Sequence, residues 1–258
     1  MVEIKKFMIK TAREAGKIAL KMRTKTKIVT IKENPKDFAT NADMKCNELI
    51  IKKIKKEFPD HGIISEELKE HNKDAKIQWL VDPIDGTLAY SNGHEGYGVM
   101  ISLMKSNEIT NTAIYMPALN EMYYAEKNKG VFMNGQKINC STEEQIISST
   151  GLLSTKLNKE RLNFEKKLYK ATKGNIRLNS GYSVCNWITY VASGKVDWIF
   201  IPVVNPCPWD SDTVYLLLAE AGCEVTDSKG NKYKAGCGSL VAANPILHRQ
   251  ILKITNEK

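Results

Sequence analysis

Trp79-Leu80-Val81-Asp82-Pro83-Ile84-Asp85-Gly86-Thr87 is the stretch on which the reading of this chain turns. Three hydrophobic residues suited to a buried strand run into an aspartate. A proline and a second aspartate follow, then a Gly-Thr pair placed to open a helix. Carboxylates at a strand end, beside the free N–H groups of a helix start, can hold a divalent cation and a phosphate side by side. Read as no more than a capped turn, the run leaves its two acids and its Gly-Thr pair without a purpose. Upstream, Ile63-Ile64-Ser65-Glu66-Glu67 repeats the design, with two apolar residues running into paired carboxylates. Downstream, Pro208-Trp209-Asp210 adds an acid where a helical pattern begins. Each of these two has a plainer reading, Glu66-Glu67 as a solvated loop and Asp210 as a helix N-cap. Their combination with residues 79–87 points to a metal-dependent phosphatase.

At 258 residues the chain is long enough for a large core, as one wide domain or two fused halves. No apolar run approaches the roughly 20 residues that span a bilayer. The amino-terminal residues lack the uninterrupted apolar core of a signal peptide. Instead Ile4, Phe7, Met8, Ala12, Ala15, Ile18 and Ala19 fall at amphipathic-helix spacing. The six cysteines are scattered without a CxxC pair, which reads as reduced thiols in a cytoplasmic protein. The four histidines are equally dispersed, which argues against zinc. The formal net charge of +9 comes from spread lysines, densest at Lys52-Lys53-Ile54-Lys55-Lys56, where the accompanying apolar residues make a solvated helix face. Without a patch of aromatic or arginine readers the charge argues against nucleic-acid binding. It still favours the approach of a small anionic substrate.

Helical patterns fill roughly 2–23 and 42–58, and strand-like stretches follow near 62–65, 77–82, 97–104, 110–116, 121–125 and 130–133. Beyond residue 145 the two types alternate: strands near 147–153, 196–201 and 240–243, helices near 158–171, 182–193, 212–221 and from Ile246. This predicts one compact unit of two halves, 1–145 as an α+β half with most of the acids and 146–258 as an α/β half carrying Asp210. A layered α/β architecture follows.

Magnesium takes near-octahedral oxygen coordination and shares carboxylates with substrate phosphate. Glu66, Asp82, Asp85 and Asp210, with the Ile84 carbonyl, are candidate metal ligands. Two ions about 3.5–4 Å apart could activate a water and stabilise the leaving oxygen of an in-line displacement. The amides of Gly86 and Thr87 are the candidate phosphate binders.

These residues resemble the inositol monophosphatase family, of the magnesium-dependent, lithium-sensitive phosphatases that include fructose-1,6-bisphosphatases and 3'-phosphoadenosine-phosphate nucleotidases. The resemblance rests on Asp82-Pro83-Ile84-Asp85-Gly86-Thr87, Glu66-Glu67 and Trp209-Asp210. It extends to Lys32, to Asp43 in Ala39-Thr40-Asn41-Ala42-Asp43, to residues 130–135 and to Val241-Ala242-Ala243-Asn244, and so covers almost the whole chain. It implies an αβαβα sandwich of the inositol monophosphatase/fructose-1,6-bisphosphatase type, usually a homodimer, with two or three Mg2+ ions per site. Glu66, Asp82, Ile84 (carbonyl), Asp85 and Asp210 would be the metal ligands. Thr87 and Asp43 would orient and deprotonate the nucleophilic water, with Glu67 assisting. Two departures concern substrate. Residues 199–208 carry no counterpart of the glutamate that grips ring hydroxyls in the inositol enzymes, and residues 179–183 match the substrate-side loop loosely, leaving Tyr182 and Ser183 as candidate contacts. The expected function is hydrolysis of inositol monophosphate or a related small sugar phosphate. The alternatives are a 3'(2'),5'-bisphosphate nucleotidase, with Tyr182 or Trp187 stacking on adenine, a fructose-1,6-bisphosphatase, and more remotely a non-catalytic regulatory protein on the same fold.

Overall fold

The computed structural model describes residues 3–32, 37–154, 157–202, 207–233 and 238–257, and only the backbone of 68–70, 208 and 210–212. Helices α1 (Ile4–Met22) and α2 (Asn41–Glu57) frame a small hairpin, β1 (Ile28–Ile31) with β2 (Phe38–Thr40). The next eight strands are β3 (Gly62–Ser65), β4 (Leu68–His71), β5 (Ile77–Asp85), β6 (Gly98–Lys105), β7 (Glu108–Met116), β8 (Glu121–Glu126), β9 (Gly130–Met133) and β10 (Gln136–Ile138). They make one sheet in the order β10-β9-β8-β7-β6-β5-β3-β4, antiparallel except where β3 runs parallel to β5. A short helix, α3 (Thr87–Ser91), follows β5.

The remaining strands, β11 (Thr150–Leu153), β12 (Arg177–Ser180), β13 (Trp198–Ile201), β14 (Glu224–Thr226) and β15 (Leu240–Ala243), form a second sheet in the order β12-β11-β13-β15-β14. Helices α4 (Lys159–Thr172), α5 (Val184–Ala192), α6 (Pro208–Glu220) and α7 (Pro245–Asn256) complete the chain.

Period-two alternation along the strands creates the layers. In the large sheet Trp79, Val81, Val99, Ile101, Leu103, Ala113 and Tyr115 pack against α1 and α2. Their neighbours Leu80, Met100, Ile114 and Met116 face α5 and α6. In the small sheet Ile199, Ile201, Leu240 and Ala242 join that middle core, while Trp198, Phe200, Val241 and Ala243 pack with α4 and α7. Both sheets are therefore apolar on two faces, and the order is αβαβα, as the resemblance implies. Among the described residues no helix is long and apolar enough to cross a membrane.

Three local departures from expectation bear on the site. Strand β5 does not stop at Asp82 but continues to Asp85, with a register shift against β6 between those residues. Pro83 has no N–H for the ladder, so the pairing breaks around it and resumes. Helix α6 starts at Pro208, earlier than expected, with Cys207 as N-cap. Proline suits the first helical position because its missing N–H would have no partner there. Asp210 therefore lies inside the first turn and is not the N-cap. Strands β1, β2, β4, β10, β12 and β14 were not expected, being short and mostly at sheet edges.

Candidate active site

The carboxylates sit where β5, β3 and α2 end or begin. Asp43 is the third residue of α2 and closes a capping box. Thr40, the N-cap, accepts from the Ala42 and Asp43 amides, while Asp43 Oδ2 accepts from the Thr40 N–H at 2.9 Å and from its hydroxyl. The fully buried Asp43 then offers its other oxygen, Oδ1, to the Thr87 hydroxyl at 3.1 Å. The same hydroxyl lies 3.1 Å from the Ile84 carbonyl. Burial raises the Asp43 pKa above the ordinary carboxylate value; the Thr40 and Thr87 hydrogen bonds pull it down and the Glu67 charge pushes it further up.

Glu66 and Glu67 leave β3 at the end where it runs beside β5. Lys32 Nζ reaches both, at 2.7 Å from Glu66 Oε1 and 2.5 Å from Glu67 Oε1. Burial works against the ammonium charge, but its two acidic partners outweigh it and raise the Lys32 pKa. Burial also raises Glu66 and Glu67 despite the lysine, because one cation serves two carboxylates with more acids beside them. The Glu66 carboxyl is in hydrogen-bonding contact with Asp82. Asp82 Oδ1 in turn accepts from the Ile84 N–H at 3.0 Å, which shapes the turn.

Asp85 is aimed at the start of α5. It accepts from the Cys185 N–H and, at 3.4 Å, from the Val184 N–H, so a carboxylate of the large sheet meets the positive end of a helix from the other half. Its pKa is raised by burial, opposed by these hydrogen bonds. The contact brings Ser183, the N-cap of α5, onto Gly86. Gly86 has φ +84°, and a Cβ there would lie 2.6 Å from the Ser183 Cβ, so only glycine fits. Tyr182 is 54% exposed and stacks on His94, ring centroids 4.5 Å apart and planes within 17°. Both border a cavity of about 510 Å³.

Of the expected residues, the structure brings together Asp43 with Thr87, Glu66 with Asp82, and Asp85 with Ser183 and its neighbours. The side chain of Asp210 lies outside the described residues, as do residues 203–206 of the substrate segment. Ile199 to Pro202 of that segment are core. Among the described residues no three His, Cys, Asp or Glu side chains group as a metal centre; Glu66 is paired with Lys32 and Asp85 with the α5 amides. Trp187, an expected stacking partner for adenine, packs with the middle core, its ring against Gly181 and its Nε1 buried. Sequence reasoning missed three contributors: Thr40, though Thr-x-x-Asp is a legible capping pattern; the Val184 and Cys185 amides, which no sequence signal marks; and His94.

A profile of the inositol monophosphatase family matches residues 1–258. A fructose-1,6-bisphosphatase/inositol-1-monophosphatase of Thermotoga maritima is 31% identical over 254 residues, covering 97% of this chain and 95% of that one. The Nus factor SuhB of Escherichia coli is 30% identical over 251 residues, covering 95% and 92%. Among solved structures, a Thermotoga maritima IMPase superimposes with a TM-score of 0.87 at 27% identity, covering 97% and 96%. With a whole-length family match and relatives spanning nearly all of both chains, this chain belongs to the inositol monophosphatase family.

Proposed function

We propose that this chain is a magnesium-dependent phosphomonoesterase acting on a small phosphorylated metabolite, inositol monophosphate or a related sugar phosphate. The family is metal-dependent. The observation that carries the reading is the Thr87 hydroxyl bound to a buried Asp43 beside Glu66, Asp82 and Asp85. The donor set fits a hard divalent cation: it is all oxygen, and burial pushes Glu66 and Asp85 toward the protonated form, which an added positive charge would reverse. Glu66, Asp82, Asp85, Asp210 and the Ile84 carbonyl would hold the metal. Bound there, it supplies positive charge to the phosphate oxygens and lowers the pKa of water.

The protein groups do the rest. The open N–H groups at the start of α3, with those of Gly86 and Thr87 first, bind phosphate oxygens. Thr87 Oγ1 gives its proton to Asp43 and takes one from the attacking water, whose oxygen bonds to phosphorus as the ester P–O bond breaks and the leaving oxygen takes a proton from a second water. A raised carboxyl pKa suits Asp43 to that role. Glu67, close enough for its charge to act on Asp43, assists in placing water. Phosphate release from inositol 1-phosphate, fructose 1,6-bisphosphate and glycerol 2-phosphate, with magnesium titrated, tests the reading. Release that needs magnesium and vanishes in Asp82→Asn is expected. Release that persists in a chelator, or none from the whole panel, overturns it.

One observation favours a second reading, a substrate with a flat ring such as adenosine 3',5'-bisphosphate: the exposed Tyr182 stacked on His94 next to Ser183 and Gly86. A selective loss of kcat/KM for that nucleotide in Tyr182→Ala, with inositol 1-phosphate unaffected, distinguishes the two.

A further inference from the structure

A cavity of about 890 Å³ opens at the far end of the large sheet. It lies between the β6–β7 turn, the β8–β9 turn, the second half of α6 and residues Lys232–Tyr233. Strand β6 meets Gln78 there through Met104, whereas Asp85 pairs with Gly98 at the opposite end. Seven residue steps along the strand separate Gln78 from Asp85, about 20 Å at the rise of an extended chain. The cavity is therefore separate from the carboxylate site, although α6 reaches both, with Asp210 in its first turn and Tyr215 and Glu220 lining the cavity.

Its size falls within the roughly 300–1,000 Å³ of small-molecule sites. Met104, Ile109 and Leu216 contribute an apolar wall. The half-buried Tyr215 and the buried Tyr233 lie with planes within 9° and centroids 6.3 Å apart, which makes an aromatic shelf. Both acids in the lining are committed. Glu108 pairs with Lys127 at 2.5 Å, and Glu220 accepts from the Asn128 and Gly130 N–H groups, each at 2.7 Å. Lys232 makes no ion pair among the described residues and holds its ammonium 6.0 Å from the Tyr215 centroid. The lining holds two lysines and two glutamates, but Glu108 faces Lys127 and Glu220 is turned to backbone N–H groups, which leaves the Lys232 ammonium as the charged group that stands next to an aromatic face. An anionic group meeting Lys232 brings an attached ring alongside Tyr215.

We propose that this cavity is a second ligand site, one that takes a small planar aromatic anion. Isothermal titration of the full chain with naphthalene-2-sulfonate tests it, because that probe has no phosphate ester to be hydrolysed. One equivalent per chain is expected to bind. Tyr215→Ala and Lys232→Gln should each weaken binding at least about tenfold, equivalent to about 1.4 kcal/mol. Cyclohexanesulfonate, which keeps the charge and loses the ring, and 2-naphthol, which keeps the ring and loses the charge, should both bind more weakly. Absence of saturable binding, or binding unchanged in both variants, overturns the proposal. Lys232 is exposed, so Lys232→Gln stands as a test should Tyr215→Ala fail to fold.

Discussion

Thr87 and Asp43 meet at 3.1 Å although 44 positions apart. A threonine hydroxyl is a poor base alone, and a carboxylate partner gives its proton a destination. Thr87→Ala and Asp43→Asn are each expected to lower kcat by about 10²–10⁴-fold. On the proposed role the two act as one unit, so the double variant should lose little more than the worse single one. Thr87→Ser, which keeps the hydroxyl, should recover most of the rate. Additive losses would show that the two groups serve separate steps. Gly86 answers to geometry. A methyl group there must accept φ +84° and a neighbour 2.6 Å away. Gly86→Ala should cost at least about 2 kcal/mol in denaturant unfolding, from backbone strain and displacement of Ser183 together. A cost below about 0.5 kcal/mol, the range of ordinary surface changes, would mean that α5 yields easily.

Element ends carry the polar structure of this protein. The α2 capping box orients Asp43, and the start of α5 receives Asp85 from the other half. A third junction, between β14 and α7, depends on a buried histidine. His248 Nε2 lies 2.9 Å from Thr226 Oγ1, and Nδ1 is 3.7 Å from Glu224 Oε2. Burial lowers the His248 pKa below 6.5; Glu224 opposes the shift and Arg249 adds to it. The unfolded chain therefore takes up a proton before the folded one. The stability from neutral His248 is complete above pH 6.5 and is lost as pH falls from there toward the folded pKa. Urea midpoints taken from about pH 7.5 down to about 5 should fall less steeply in His248→Gln than in the parent chain. Equal slopes would show that Glu224 compensates the burial.

Over the whole molecule, two sheets buried on both faces divide the interior into three apolar layers. Ile101 belongs to the layer under α1 and α2, and Phe200 to the one under α4 and α7. Ile101→Ala is expected to cost about 2–5 kcal/mol and Phe200→Ala about 3–5 kcal/mol. With no shared layer the two costs should add to within about 0.5 kcal/mol. Helices α5 and α6 pack in the middle core with residues of both sheets, so the double variant should still unfold in one transition. Two transitions would show that each sheet holds its own fold.

Residues 62–65, 77–82, 97–104, 110–116, 121–125 and 130–133 announced the large sheet because buried strands carry an uninterrupted or alternating apolar signal. The layered α/β class was legible in the succession of strand and helix patterns, and the αβαβα order only through the family resemblance. The acids after β3, on β5 and in the first turn of α6 stand in local motifs: a strand end, a tight turn and a helix start within a few residues of one another. The short strands β1, β2, β4, β10, β12 and β14 were not legible, since three or four residues are too few to display the periodicity that marks a strand. Nor was the start of α6, which Pro208 sets ahead of the apolar pattern. Sequence by itself determined the fold class and which acids stand at strand ends and a helix start, because burial pattern and donor chemistry are properties of the residues in order. Only the tertiary structure decided that Asp85 faces the α5 amides, that Lys32 bridges Glu66 and Glu67, that Trp187 is core while Tyr182 is exposed, and that Tyr215 shares a cavity with Lys232. Those depend on how the two halves and their loops approach one another, and contacts between distant segments are set by packing that no local pattern encodes.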